Sequence, residues 1–202
     1  MLAKDVIEAI EAAATVLLFV AAIWGDRIKD RLFGPRLSLS LLDPEGFLTE
    51  RANGVAARYY HIRVANRPHS VARSAQVFVT RVSRRDASGA FQLENIAYSL
   101  PLIWTPAELN QLDRKVVTMS TCDFGFIDQN APAFILTTAI LPNNFRGTVA
   151  KGEAARFEIT AEGENVYHST ILVLQVSWDG EWHSGGREMR KHLVVDKVDS
   201  LV

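Results

Sequence analysis

RYYHIRVAN, the stretch from Arg58 to Asn66, alternates between the two faces of an extended chain and predicts a β-strand. The first face carries mostly apolar side chains: Tyr60, Ile62 and Val64. The second face is more polar: Tyr59, His61 and Arg63. Because successive residues of a strand point to opposite faces, this segment suits a strand with one face in a hydrophobic core.

Similar segments occur on both sides of this strand, and we expect them to be strands too. They cover residues 37–41, 75–82, 101–104, 115–121, 133–140, 155–161, 170–178 and 189–198. Clusters of Gly, Pro, Asn and Asp separate them, as expected for turns. Many short strands with such spacing predict an all-β sandwich or barrel over residues 37–202. One short helix is expected at 106–113, after Thr105 as its cap.

The composition excludes several classes of protein. The chain has 202 residues, 22 Lys and Arg against 23 Asp and Glu, and a net charge of −1. A protein whose main function is to bind nucleic acid would have more Lys and Arg than Asp and Glu, so we expect no nucleic-acid partner. Cys122 is the one cysteine, which excludes an intramolecular disulfide and a cysteine-based zinc finger.

The N-terminal region differs from the rest of the chain. AAATVLLFVAAIW, residues 12–24, carries no charge, and the surrounding pattern predicts a helix over residues 1–32. We expect a single-pass transmembrane anchor that enters the lipid bilayer with residues 6–24, then a short linker at 33–36. A helix that packs on the β domain or joins copies of the chain is the alternative. A signal peptide is least favoured, because Asp5, Glu8 and Glu11 crowd the start.

Charges beside the apolar segment predict its orientation. Trp24 is placed at a membrane interface, followed by a basic cluster: Arg27, Lys29, Arg31 and Arg36. Lys4 is the one basic residue on the other flank. By the positive-inside rule, we expect the N-terminus outside the cell and the β domain in the cytoplasm.

One part of the β region resembles a known family. Its matching residues are Val64, Asn66, Ala75, Val77 and Val79. They are similar to the B–C strand region of Ig-like sandwiches of the adhesion or CARDB type. The layout also resembles uncharacterised bacterial membrane-anchored proteins with one soluble β domain. The resemblance implies an Ig-like antiparallel β-sandwich after an N-terminal helix, and it implies no activity.

The sequence contains no catalytic motif that we recognise. The five histidines form none of the usual metal-binding spacings, so we predict neither a metal nor a cofactor. His61 is expected to be a surface or strand-packing residue. Cys122 is expected to be a buried small side chain. Asp123-Phe124-Gly125 matches the magnesium-binding motif of kinases, but the sequence contains none of the other kinase motifs, so we interpret this match as chance. We therefore expect a protein that is not an enzyme.

Two loops are candidates for an interaction surface. Their residues are Trp178, Asp179, Trp182 and His183 in one loop, and Asn144, Phe145 and Arg146 in the other. For the two tryptophans, packing against the core or a neighbouring strand is the favoured interpretation. The predicted function is a membrane-anchored, non-catalytic β-sandwich that binds another protein or scaffolds a complex. The alternatives are a ligand-binding or enzymatic sandwich with a loop-built site, and a soluble homo-oligomer assembled through the N-terminal helix.

Overall fold

The computed structural model describes residues 2–67, 70–106, 114–116, 118–130 and 133–202. Within the first helix, side chains are described for residues 6, 10–25 and 33. The chain is mainly β, with 51% of its residues in strands that form two sheets, and it begins with one helix. The prediction of a β-rich chain behind an N-terminal helix is confirmed, whereas the Ig-like assignment stays a prediction.

The elements follow one another in a long series of strands. Their bounds are α1 Leu2–Phe33, β1 Arg36–Leu41, β2 Phe47–Glu50, β3 Ala56–Asn66, β4 Ala72–Arg85, β5 Phe91–Glu94, β6 Leu100–Pro101, β7 Ile103–Thr105, β8 Arg114–Val116, β9 Met119–Asp128, β10 Ala133–Leu136, β11 Thr148–Ala150, β12 Ala154–Glu162, β13 His168–Ser169, β14 Leu172–Trp178, α2 Gly186–His192 and β15 Leu193–Lys197.

The first sheet has the strand order β11-β10-β9-β3-β1-β13, with β2 paired to β3 and β7 paired to β9. The second has the order β15-β14-β12-β4-β5, with β6 and β8 paired to β4. Among the described strands, β1 and β13 pair in parallel and the remaining pairs are antiparallel. The long strands β3 and β4 are therefore interior strands, each paired along both of its edges.

The two sheets share one hydrophobic core. Phe124 of β9 and Phe157 of β12 meet across the sheets, with ring centroids 5.5 Å apart and planes at 80°. This edge-to-face contact is a favourable arrangement for aromatic rings. On β3 the alternation read from the sequence is confirmed, because Tyr60, Ile62 and Val64 are each 0% exposed.

Gly125 shows how closely this core is packed. It lies on β9 opposite Tyr60, and a Cβ atom there would come within 2.3 Å of the Phe134 ring and 2.6 Å of the Ile135 carbonyl oxygen. A side chain at this position would displace both a buried ring and the backbone of β10. The missing side chain lets the Phe134 ring lie directly over the strand.

Helix α1 presents its apolar side chains to the surroundings rather than to the β region. Every described side chain from Ile10 to Trp24 is exposed, including Leu18 at 72% and Phe19 at 67%. The alternative in which this stretch packs on the β domain is therefore wrong. Across the part of the chain that the structure describes, no helix is both long enough and apolar enough to cross a membrane. The membrane anchor stays a prediction.

The predicted strand at 189–198 is partly wrong. Residues up to His192 belong to α2, and β15 begins at Leu193. Met189 is the buried residue of α2, so a single apolar side chain holds this short helix against the core. The helix expected at 106–113 lies mostly outside the described residues.

Candidate functional site

Two members of the predicted interaction surface lie in the core instead. Trp178 and Phe145 are each only 4% exposed. Trp178 continues the buried face of β14, where Leu174 and Val176 are also buried. Phe145 turns inward from its loop because its apolar ring is more stable out of water. Neither ring can present a surface to a partner, so these two assignments are corrected.

The other predicted residues remain accessible. Asn144, Arg146 and Asp179 are exposed, and His183 is partly exposed. Trp182 is half-buried and packs against the core, as the structural reading of the tryptophans predicts. The part of the predicted interaction surface that is accessible is therefore polar and charged rather than aromatic.

The structure brings the two predicted loops to the same end of the β region. Arg146 pairs with the Glu153 carboxylate at 2.7 Å, and the Glu153 carbonyl accepts the Trp178 N–H at 3.2 Å. The Lys151 side chain packs over Gly180, where an added Cβ would come within 2.4 Å of it. Loops 35 residues apart in sequence thus become neighbours through the turn between β11 and β12.

Asp179, Glu181, His183 and His192 form a histidine–carboxylate cluster at this end. The rings of His183 and His192 stack with centroids 4.6 Å apart and planes at 18°. One ligand atom each from Glu181, His183 and His192 lies within 4.8 Å of the others. Imidazole nitrogens and a carboxylate oxygen are the donor atoms that zinc prefers besides thiolate.

Asp179 orients the cluster through two hydrogen bonds. Its Oδ2 lies 2.8 Å from Nδ1 of His192, and its Oδ1 accepts the Glu181 N–H at 2.9 Å. Burial acts to raise the pKa of Asp179, but the Glu181 amide and the His192 ring stabilise the carboxylate, and the pKa falls below its ordinary value. Asp179 is therefore a carboxylate at neutral pH and can only accept hydrogen bonds.

Hydrogen bonds tie the loop of the cluster to α2 and to β3. The His183 N–H points to Sδ of the buried Met189 at 3.3 Å, which ties the loop to α2. Behind the loop, the Arg58 guanidinium on β3 donates to the carbonyls of Glu45 and Gly46, both at 2.9 Å, and to that of Ser184. Arg58 is only 3% exposed, so its side chain is shielded from water; we call these three hydrogen bonds the Arg58 clamp.

Sequence reasoning missed His192 as a partner of His183. The two residues are nine apart, a spacing that is no recognised metal motif, and His192 fell within a predicted strand. The helical turn of α2 turns the His192 ring towards the loop. The available signal was the pattern Glu181-x-His183, with a further histidine after a Gly185-Gly186 turn.

The predicted membrane-interface residues are described only in part. Trp24 is 53% exposed on α1. The side chains of Arg27, Lys29 and Arg31 lie outside the described residues, although the backbone there belongs to α1. Their proposed contact with lipid headgroups stays a prediction.

Two further residues singled out from the sequence have structural surroundings. Cys122 is 0% exposed, and burial followed by the neighbouring Asp123 charge raises the pKa of its thiol, so it is not a nucleophile at neutral pH. His61 lies between Phe47 and Tyr59, with Nε2 at 3.2 Å from the Asp123 carboxylate.

In comparisons with known proteins, no family model, curated protein or solved structure matches the chain.

Proposed function

We propose that this protein is a membrane-anchored, non-catalytic β-sandwich module that binds another protein. The observation that carries the proposal is the exposed apolar surface of α1. Large side chains on this helix, namely Val16, Leu17, Leu18, Phe19 and Ile23, are each more than half exposed. Soluble monomers rarely expose a continuous apolar patch of this kind, and such patches mark contacts with membranes or other proteins.

The free energy available from covering this helix is large. Transfer of each large apolar side chain out of water contributes about 1.5–3 kcal/mol, so five of them contribute on the order of 10 kcal/mol. A lipid bilayer covers such a helix on all sides. The basic residues that follow, Arg27, Lys29 and Arg31, favour an orientation with the N-terminus outside and the β module in the cytoplasm.

An Ig-like arrangement of the two sheets is part of the proposal. It is supported by the mostly antiparallel pairing, by the shared core and by the Phe124–Phe157 contact between the sheets. The partner would meet the end of the module where Asn144, Arg146 and Asp179 are exposed. These polar residues suit the rim of a protein interface rather than a membrane.

The anchor is tested by flotation of the full chain with membranes. We expect wild-type protein to float with lipid and to stay there after a high-salt wash, because apolar contacts are not screened. A double change of Leu18→Lys and Phe19→Lys places two charges in the apolar surface and should release the protein. The matched control is Leu93→Lys, at a residue of β5 that is 60% exposed and should not affect flotation.

Protein binding is tested on the same floated membranes. A photo-reactive amino acid at Asn144 should yield a discrete cross-linked product, whereas the same label at exposed Ala87 should not. Equal labelling from both positions, or from neither, would contradict the binding surface.

The exposed surface of α1 also favours a second candidate, a soluble homo-oligomer. In that case wild-type protein would remain at the bottom of the flotation gradient without detergent. It would elute as a multimer, and the Leu18→Lys and Phe19→Lys change would convert it to a monomer. This result would replace the anchor by an oligomerisation helix.

A further inference from the structure

We propose that Glu181, His183 and His192 bind a divalent transition-metal ion of the class that includes zinc, and that Asp179 positions His192. The inference is independent of the membrane anchor, because the site belongs entirely to the β14–α2 region. It rests on the arrangement of four side chains in the histidine–carboxylate cluster.

The three donor residues are near enough to one another for side-chain rotation to form a zinc site. With bonds of about 2.0–2.1 Å, two ligand atoms of a tetrahedral zinc ion lie about 3.4 Å apart. One ligand atom from each of Glu181, His183 and His192 lies within 4.8 Å of the others. Rotations of the Glu181 side chain and of the two imidazole rings aim the three donors at one ion, because the lone pairs of the stacked rings lie in nearly parallel planes.

The second argument is the contact between Asp179 and His192. A carboxylate can only accept, so neutral His192 donates its Nδ1–H to Oδ2 of Asp179 at 2.8 Å. The lone pair of the ring is then on Nε2, the atom that is free to bind a metal. Carboxylate–histidine–zinc arrangements use the same contact to orient the ring and to raise its basicity.

The third argument is the support beneath the ligands. His183 follows the half-buried Trp182, and its amide is tied to Met189; His192 is in the last turn of α2, which Met189 anchors in the core. The ligands therefore come from two elements that are already held together. A bound ion would cross-link the loop to the end of α2.

The donor set also indicates the class of ion. Two imidazoles with one carboxylate suit zinc, nickel or copper, whereas magnesium and calcium prefer sites made of oxygen alone. Three protein ligands around a tetrahedral ion leave a fourth position for water or for a side chain of a binding partner.

The experiment is a calorimetric titration of the untagged full-length protein, in mild detergent, with zinc chloride. We expect a single equivalent of zinc to bind with a Kd of about 10 µM or tighter. His183→Ala, His192→Ala and Glu181→Gln should each weaken binding by about tenfold or more, and Asp179→Asn by about tenfold, as for other residues that orient metal ligands. Cobalt in place of zinc should give the visible absorption of a tetrahedral site.

The controls separate loss of ligands from loss of fold. Glu181→Gln alters a side chain that is 67% exposed, so its folding should be unaffected. His168→Ala removes an exposed histidine on β13 and should bind zinc like wild type. Added zinc should raise the Tm of wild type and His168→Ala but not of His192→Ala.

Two results would overturn the inference. One is wild-type protein that binds no zinc below about 100 µM. The other is binding that survives unchanged in both Glu181→Gln and His183→Ala, since the ion would then be held elsewhere.

Discussion

Glu158 on β12 is a nearly buried carboxylate whose charge depends on its neighbours. Its side chain is 10% exposed and accepts hydrogen bonds from Nε of Arg81 at 2.8 Å and from the Thr80 hydroxyl at 3.1 Å. The Arg81 hydrogen bond is the main reason why the pKa of Glu158 lies below its ordinary value of 4.5, although burial opposes the shift. The pair joins the neighbouring strands β4 and β12.

This lowered pKa predicts a pH dependence of stability. Because the folded state favours the carboxylate, the contribution is fully present above pH 4.5 and is lost as the pH falls through the lower folded value. Glu158→Gln should lower the free energy of unfolding by no more than about 1 kcal/mol at neutral pH, since Arg81 is largely in water. The difference from wild type should shrink below pH 4.

Urea unfolding of the full chain between neutral and acidic pH measures this effect. Glu162→Gln, at an exposed position of the same strand, is the matched control and should show a smaller change. A difference between wild type and Glu158→Gln that grows with acidification would contradict the assignment.

At the scale of elements, Arg58 connects β3 to two loops. Its guanidinium holds the turn at Glu45 and Gly46 on one side and the Ser184 carbonyl on the other. The planar, forked group of arginine reaches three carbonyl oxygens, which a lysine ammonium on its flexible stem does not reproduce. The Arg58 hydrogen bond to the Ser184 carbonyl therefore holds the loop that carries Glu181 and His183 against β3.

We expect Arg58→Lys to destabilise the protein by about 1–3 kcal/mol, because a buried set of charged hydrogen bonds is partly lost. Amide hydrogen exchange near Ser184 should accelerate. Arg63→Lys, on the exposed face of the same strand, is the matched control and should change the unfolding free energy by less than about 0.5 kcal/mol. Equal effects of the two changes would show that the clamp contributes nothing.

At the scale of the whole molecule, an apolar helix and a charge-balanced β module are joined by a very short connection. Helix α1 ends at Phe33 and β1 begins at Arg36. The Ser70 hydroxyl also donates to the Phe33 carbonyl at 3.1 Å. A lipid bilayer or a protein partner that surrounds α1 would therefore lie close to the β module.

The proposed orientation can be measured with a membrane-impermeant maleimide. Cys122 is 0% exposed and should stay unlabelled while the protein is folded, in intact and in permeabilised cells. Ala87→Cys places a thiol in the exposed turn between β4 and β5. It should be labelled only after permeabilisation if the β module is cytoplasmic, and labelling in intact cells would reverse the topology.

Local patterns were sufficient to predict most of the strands. The alternation at Leu37 and Leu39, and that around Tyr60 and Ile62, marks residues that are buried in the structure, because one face of each strand must leave water. The assignment of Trp178 and Phe145 to an interaction surface came from their places beside turns, where an aromatic residue fits both a surface and a core. Their burial depends on the elements packed around them.

The sequence by itself determined the β-rich composition, the N-terminal helix and the charge balance, because these follow from hydrophobic periodicity and residue content. Only the tertiary structure decided which strands pair, and it placed Arg146 near Trp178 through Glu153. It also decided that His183 and His192 stack beside Glu181. Contacts between separate elements depend on packing that no local pattern encodes, and the histidine–carboxylate cluster is such a contact.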